Sequence, residues 1–239
     1  MSKPKKILVF TATYNESENI EELVKAIKSR DCNPDLLIID DNSPDNTSEK
    51  ILKLQMEYKN LFLIKRNGKL GLDSAHKEGY QYALKNNYDY LITMDADLSH
   101  DPNEIENFIN NLENYEFVIG SRYMEGGKCL MKKRRLFMSK YGNLLIKFIL
   151  KINCSEYTSS YRGFNLKKLN DFNLDLVKTK GYSFFMGTIF EIDKRKYAIK
   201  QIPITFADRA KGYSKIPRLE IFRTLKNLLI ISIKKLFNR

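Results

Sequence analysis

Leu91-Ile92-Thr93-Met94-Asp95-Ala96-Asp97-Leu98-Ser99-His100-Asp101-Pro102 is the stretch around which the chain is organised. A short apolar run ends in two carboxylates one residue apart, then meets a proline suited to opening a helix. Side chains at i and i+2 of a strand share a face, so Asp95 and Asp97 should project together from a strand's carboxyl end. Open α/β sheets hold their ligands at that end. Two carboxylates so placed repel unless a cation lies between them, and a hard, oxygen-seeking ion is the matching partner. Mg²⁺ takes one or two protein carboxylates and completes its shell with water and substrate phosphates. Asp-x-Asp is also ordinary turn and cap chemistry, so the acid pair gains meaning only from its neighbours.

Those neighbours repeat one theme. Apolar runs of strand length lie at residues 7–10, 36–39, 61–64 and 117–119. Helical periodicity fills the gaps between them. Ser17 is placed to cap a helix buried through Ile20, Leu23, Val24 and Ile27; a second helix carries Ile51, Leu52 and Leu54. A third runs through Ala75, Gly79 and Ala83, and Pro102 opens a fourth with Ile105, Phe108, Ile109 and Leu112. This alternation predicts an α/β fold with a mostly parallel sheet covered on both faces. Polar clusters sit where strands stop: Tyr14 and Glu16, Asp40 and Asp41, Asp95 and Asp97. On one rim they would suit a base, its ribose and its diphosphate in turn. Neither a Gly-Lys-Ser/Thr phosphate loop nor a Gly-x-Gly-x-x-Gly fingerprint is present, which disfavours a P-loop ATPase or a dinucleotide enzyme.

The 239 residues suffice for one α/β domain with an appendage, and 43% hydrophobic with 29% charged residues is a globular composition. Charge is unevenly placed. Residues 1–120 hold 14 Lys/Arg against 21 Asp/Glu, whereas residues 121–239 hold 27 against 8. Such asymmetry points to an anionic partner on the second half: a membrane surface, a nucleic acid or phosphorylated ligands. Cys32, Cys129 and Cys154 are odd in number and lack paired spacing, which fits reduced thiols in a cytosolic setting and argues against a disulfide framework or zinc site. The basic start, Met1-Ser2-Lys3-Pro4-Lys5-Lys6, precedes an apolar run too short for a signal peptide.

In the basic half, residues 128–151 mix apolar and cationic side chains on a helical period, and residues 219–237 repeat the style. Neither segment approaches the ~20 apolar residues needed to cross a bilayer. Helices lying in the headgroup region are one expectation; amphipathic helices packed on the core with a solvated basic face are the other.

Taken together, Ala12-Thr13-Tyr14-Asn15-Glu16, Asp40-Asp41-Asn42-Ser43-Pro44-Asp45, Lys69-Leu70-Gly71-Leu72, Met94-Asp95-Ala96-Asp97-Leu98-Ser99-His100 and Gly120-Ser121-Arg122-Tyr123 resemble glycosyltransferase family 2. The likeness is strongest to its polyprenol-phosphate (dolichol-phosphate) mannose synthase branch. Thr158-Ser159-Ser160-Tyr161-Arg162 and the region from Pro203 through Asp208-Arg209 to Ser214-Lys215 extend it over residues 7–217. The resemblance implies a GT-A fold over residues 1–217, with residues 218–239 as a basic amphipathic helix. It implies a nucleoside-diphosphate sugar donor, GDP-mannose above all, with Mg²⁺ or Mn²⁺ as cofactor and a polyprenyl phosphate acceptor. Carried over by position, Ala12, Tyr14, Glu16, Ile39, Asp41, Lys69 and Ala96 would line the nucleotide-sugar pocket. Asp95, Asp97 and Ser99 match the metal motif. Arg122, Arg135 and Ser139 match acceptor-phosphate positions, and Arg209 and Lys215 a basic loop over the donor phosphates. The chain departs from the pattern at Ala12 (usually proline), at Asp73 and Ser160 (usually glycine), and at Phe185 and Gly187 (often Gln and Glu).

The chemistry implied is transfer with inversion at the sugar carbon. Asp97, Arg122, Arg209 and Lys215 would be the catalytic set, acting on developing diphosphate charge and on the attacking phosphate. A phosphate monoester, with its second pKa near ~6, is largely dianionic at neutral pH, so no dedicated protein base is expected. His76 and His100 are accordingly read as structural. Expected partners are the sugar nucleotide, polyprenyl phosphate and a membrane surface, with the protein peripheral on the cytoplasmic face and no nucleic acid bound. Transfer of another sugar is the alternative within the class. A basic nucleic-acid- or membrane-binding module without catalysis, or an inactive scaffold, is the alternative outside it.

Overall fold

Strands buried on both faces set the architecture. A computed structural model describes residues 4–209, 211 and 220–237, with side chains described as far as residue 235. In chain order the elements are β1 (Ile7–Thr13), α1 (Ile20–Lys28), β2 (Asp35–Asp40), α2 (Thr47–Glu57), β3 (Leu61–Lys65), α3 (Leu72–Lys85) and β4 (Tyr90–Thr93). Then come α4 (Ile105–Leu112), β5 (Phe117–Ser121), β6 (Lys128–Cys129), α5 (Lys133–Leu150), β7 (Arg162–Asn165), α6 (Ser183–Lys194), β8 (Ile199–Pro203), β9 (Thr205–Phe206) and α7 (Glu220–Phe237).

Seven strands form one sheet in the order β3-β2-β1-β4-β7-β5-β8. Every pairing is parallel except those of β7, which runs antiparallel to both β4 and β5. Alternation along the strands sends Leu8 and Phe10 to one face and Val9 to the other. The Val9 face packs against Leu23 and Ile27 of α1, Ile51 of α2 and Phe108 of α4. The Phe10 face packs against Ala75 and Tyr80 of α3, Ile146 of α5, Phe184 and Ile189 of α6 and Leu228 of α7. The α/β expectation holds, and α7 contributes to the same core as the sheet.

Local differences from the sequence reading have physical causes. Asn19, not Ser17, precedes α1, because the Ser17 amide donates to Asp45 Oδ2 (3.0 Å) and holds the chain short of the helix. Leu52 is 54% exposed, as α2 buries the Thr47, Ile51 and Leu54 line instead. The helix expected over residues 128–151 starts only at Lys133. Before it, the amides of Lys128 and Leu130 donate to the carbonyls of Ile204 (3.0 Å) and Phe206 (2.9 Å), drawing β6 alongside β9.

His76 is wedged between Phe10, Phe184 and Phe185, at ring distances of 5.1, 5.8 and 5.1 Å. Burial, helped by the charge of Arg162, pulls its pKa down to about 3, so the folded imidazole stays neutral. A group with a depressed folded pKa adds stability above its unfolded pKa near 6.5, and that stability drains as pH falls. Urea unfolding should therefore show His76 accounting for roughly 2 kcal/mol of stability lost between pH 7 and pH 5. His76→Leu should flatten that part of the pH dependence; an unchanged pH slope would contradict the buried neutral state.

Candidate active site

Parallel strands bring their carboxyl ends to one rim, so the segments after β1, β2, β4, β5 and β8 meet there. Because β7 runs the other way, the residues leading into it, 156–161, arrive at the same rim. The loop after β4 lies at its centre. Leu98 turns it with a left-handed φ of 61°, strained for a leucine. The turn aims the Ser99 amide and hydroxyl back at Asp97, which accepts both on Oδ1 (3.1 and 2.5 Å). Ser99 thus meets Asp97 itself. His100 closes the loop by accepting the Asp95 amide on Nδ1 (3.1 Å), its ring packed on Tyr161 and Phe206. Burial lowers its pKa to about 4, leaving it a neutral clasp.

The acid pair is short of positive charge. Desolvation, and then the Asp97 charge, push Asp95 up to about 6, although Ser160 Oγ donates to its Oδ1 (2.5 Å). Asp97 Oδ2 lies 3.0 Å from Arg209 Nη2. Among the described residues no group of three or more carboxylate, histidine or cysteine side chains could hold a metal ion. Two repelling oxygen donors at a solvent-reachable rim fit a hard divalent ion whose remaining ligands come from water and phosphate. They do not suit a closed zinc site.

On the β1–β2 side, Ala12 sits opposite Ile39 in the register, and Lys69 Nζ lies 4.0 Å from the Tyr14 ring centre. Glu16 is buried and accepts from Asn19 Nδ2 (2.8 Å); Ala96 is buried beside the acid pair. Asp40 serves the fold, accepting from Thr13, from Ser48 and from both the amide and the hydroxyl of Ser43. Asp41 is held by the Arg66 guanidinium and the Gly71 amide (3.0 Å), a clasp that joins the ends of β2 and β3 to the start of α3. Sequence reasoning passed over Arg66, although it directly follows a strand as Arg122 does.

Arg122, just after β5, donates through Nε and Nη2 to Glu156 (2.8 and 3.3 Å) and through Nη2 to Thr158 Oγ1 (3.0 Å). Its guanidinium lies 4.3 Å from the Phe206 ring centre. Glu156 is fully buried and also accepts from the Thr158 amide and hydroxyl and the Ser159 amide. Nothing local in the sequence marks Glu156, whose partner lies 34 residues away. Asn143 of α5 ties this block to the helix, accepting the Tyr157 amide (2.6 Å) and donating to the Ser139 carbonyl (2.9 Å). Arg135, one turn before Ser139, pairs with Asp208 (3.1 Å). Lys215, with Gly212 and Ser214, lies outside the described residues. Arg122, Arg209, Asp95 and Asp97 thus meet on the rim, and Arg135 reaches it through Asp208.

The sequence matches the model of the glycosyl transferase family 2 over residues 8–172. The chain belongs to that family. An undecaprenyl-phosphate mannosyltransferase of Micrococcus luteus is 31% identical over 212 residues, covering 88% of this chain and 87% of its own length. A polyprenol monophosphomannose synthase of Mycolicibacterium smegmatis is 32% identical over 212 residues, with 87% and 80% covered. Among solved structures, glucosyl-3-phosphoglycerate synthase of Mycobacterium tuberculosis, in complex with Mn²⁺, UDP and glucosyl-3-phosphoglycerate, superposes with a TM-score of 0.67 at 15% identity. That match covers 96% of this chain and 79% of the other. A Pyrobaculum calidifontis mannosyltransferase in complex with GDP-Man and Mn²⁺ gives a TM-score of 0.60 at 19% identity, covering 100% and 66%. The architecture is that of the GT-A glycosyltransferases.

Four of the five departures from the family pattern make distinct local contacts. The Ser160 hydroxyl bonds Asp95, and Asp73 accepts the Gly181 amide (3.0 Å), pinning the loop before α6. A Cβ at Gly187 would fall 2.1 Å from Thr179 Oγ1, leaving no room for a longer side chain there. Phe185 packs on His76 and beneath Arg162, whose guanidinium is 4.9 Å from its ring centre.

Removing one partner of a buried ion pair strands the other charge, typically at ~3–5 kcal/mol. Glu156→Ala should lower the free energy of urea unfolding by about that much, and Glu156→Asp should recover most of the loss. A change below ~1 kcal/mol, the range of an exposed pair, would mean that Glu156 does not hold Arg122.

Proposed function

We propose that this glycosyltransferase moves a sugar, with mannose from GDP-mannose as the favoured donor, onto a polyprenyl monophosphate at a membrane surface. The observation that carries this reading is the placement of the Asp95/Asp97 pair on one rim with the cationic side chains of Arg122 and Arg209. The two relatives, covered over most of their length, are named for mannosylation of a polyprenyl phosphate.

Asp95 and Asp97 would hold Mg²⁺ or Mn²⁺, which when bound supplies Lewis-acid stabilisation of a diphosphate leaving group. The protein's own residues do the rest. Ser99 and the left-handed Leu98 aim Asp97; His100 and Ser160 aim Asp95. Arg209, with Lys215 from the segment outside the described residues, would donate charge-assisted hydrogen bonds as negative charge grows on the nucleotide. Tyr14, Lys69, Glu16 and Asp41 border the place of the nucleoside. Glu156 fixes one edge of the Arg122 guanidinium through Nε and Nη2, and Arg122 so held would meet an acceptor phosphate, with Arg135 and Ser139 contributing from α5. A dianionic phosphate needs no base, and His100 is engaged with the Asp95 amide.

Membrane attachment is supported by what α5 and α7 present outward. Phe137, Tyr141, Leu144 and Phe148 of α5, and Phe222, Leu225 and Leu229 of α7, are 45–78% exposed. Leu228 and Ile231 form a narrow buried strip on α7, and the two helices are joined by Lys235 Nζ donating to the Leu150 carbonyl (2.6 Å). Lys132, Lys133, Arg134, Lys140, Lys226 and Lys234 accompany the apolar side chains. Apolar surface mixed with cations matches an anionic headgroup layer. Among the described residues no helix is long and apolar enough to cross a membrane; the attachment proposed is peripheral, on the cytoplasmic face, through the outward sides of α5 and α7.

Purified protein given Mn²⁺, anionic vesicles carrying polyprenyl phosphate and a panel of GDP- and UDP-sugars should consume GDP-mannose and form a mannosylated lipid. Asp97→Asn should reduce turnover roughly 10²-fold or more, and Phe148→Glu should release the protein from vesicles. Consumption of a different sugar nucleotide would overturn the donor assignment. Consumption of none by the folded protein would overturn the reaction.

A further inference from the structure

The segment after β9 makes two ion pairs in opposite directions. Arg209 Nη2 lies 3.0 Å from Asp97 Oδ2, and its neighbour Asp208 takes Arg135 Nη1 at 3.1 Å on Oδ1. The Arg209 amide also donates to Asp208 Oδ1 (3.2 Å). Upstream the chain is fixed: Phe206 bridges to His100, its carbonyl accepts the Leu130 amide (2.9 Å), and the Ala207 amide donates to the Ser99 carbonyl (3.0 Å). Asp208 and Arg209 come directly after these bonds, between the acid pair and the first turn of α5.

We infer that Asp208-Arg209 is a built-in charge surrogate for both substrates: Arg209 fills the cation's place at Asp97, and Asp208 fills the phosphate's place at Arg135. The inference rests on the reading of the site given above, and gives it an order of events. At Asp97, Arg209 would compete with a bare divalent ion for the same carboxylate. With a nucleoside diphosphate also present, Arg209 would exchange the carboxylate for the phosphates, leaving the acid pair to the ion. Arg135 and Asp208 are half-exposed, at 50% and 40%, and exposed pairs are weak. A dianionic headgroup at the α5 terminus can therefore displace Asp208. Both exchanges loosen the same dipeptide, so each substrate should favour entry of the other, and reciprocally.

Binding of Mn²⁺ alone, measured from the free-ion electron paramagnetic resonance signal, tests the first half. Arg209→Gln should bind Mn²⁺ about tenfold more tightly than wild type, since a competing unit charge is gone. The same variant should bind Mn²⁺ with GDP more weakly than wild type, and Arg209→Lys should keep the weak bare-ion affinity. Inorganic phosphate tests the second half: Asp208→Asn should bind it roughly threefold more tightly because Arg135 is released. Unchanged or weaker Mn²⁺ binding by Arg209→Gln, or unchanged phosphate binding by Asp208→Asn, overturns the inference. Neither readout involves sugar transfer, so these shifts without any transferase activity would sink the proposed reaction and leave the surrogate standing.

Discussion

Electrostatic repulsion between Asp95 and Asp97 is the constraint on which the rest of the site depends. Burial first, and then the charge of Asp97 beside it, push the Asp95 pKa up to about 6. The fold holds them together with the left-handed turn at Leu98, the His100 clasp, the Ser99 and Ser160 hydroxyls and the Arg209 counter-ion. Ser99, Leu98 and His100 act from within the loop, whereas Ser160 and Arg209 reach it from distant parts of the chain. Their joint effect is a fixed anionic notch that favours whatever brings positive charge to it.

Topology determines what stands around that notch. A purely parallel sheet would offer the rim only the segments that follow strands. The antiparallel β7 adds the segment that leads into a strand, and that segment carries Glu156, Thr158 and Ser160. Glu156 then fixes Arg122, and Asn143 ties the same block to α5, the helix with the exposed apolar face. The acid pair and the outward helix surface are therefore linked through a short chain of buried hydrogen bonds. A catalytic rim with the same strands but no β7 would lack that connection.

Much of this was legible in the sequence, because apolar runs and their polar stops are written locally. The four strands leading to the first-half rim, the acid pair and Arg122 all follow from that grammar. β7 escaped it, since Arg162-Gly163-Phe164-Asn165 has no apolar run and owes its strand to neighbours on both sides. β8 at the sheet edge alternates too weakly to stand out. Glu156 and Arg66 escaped for another reason: a buried ion pair is a property of two distant positions, and neither has a signature alone. The state of Arg209 and Arg135 was equally hidden, because sequence names a phosphate-binding cation without saying what holds it when no phosphate is present.

The central claim is that the Asp95/Asp97 pair seats a divalent ion which in turn touches a nucleoside diphosphate. Pulsed electron paramagnetic resonance of Mn²⁺ with GDP reports that contact directly, through hyperfine coupling to ³¹P. The account predicts phosphorus coupling on protein-bound Mn²⁺ in the wild type and its loss in Asp97→Asn. A protein-bound Mn²⁺ signal without phosphorus coupling, or one identical in the Asp97→Asn variant, would contradict it.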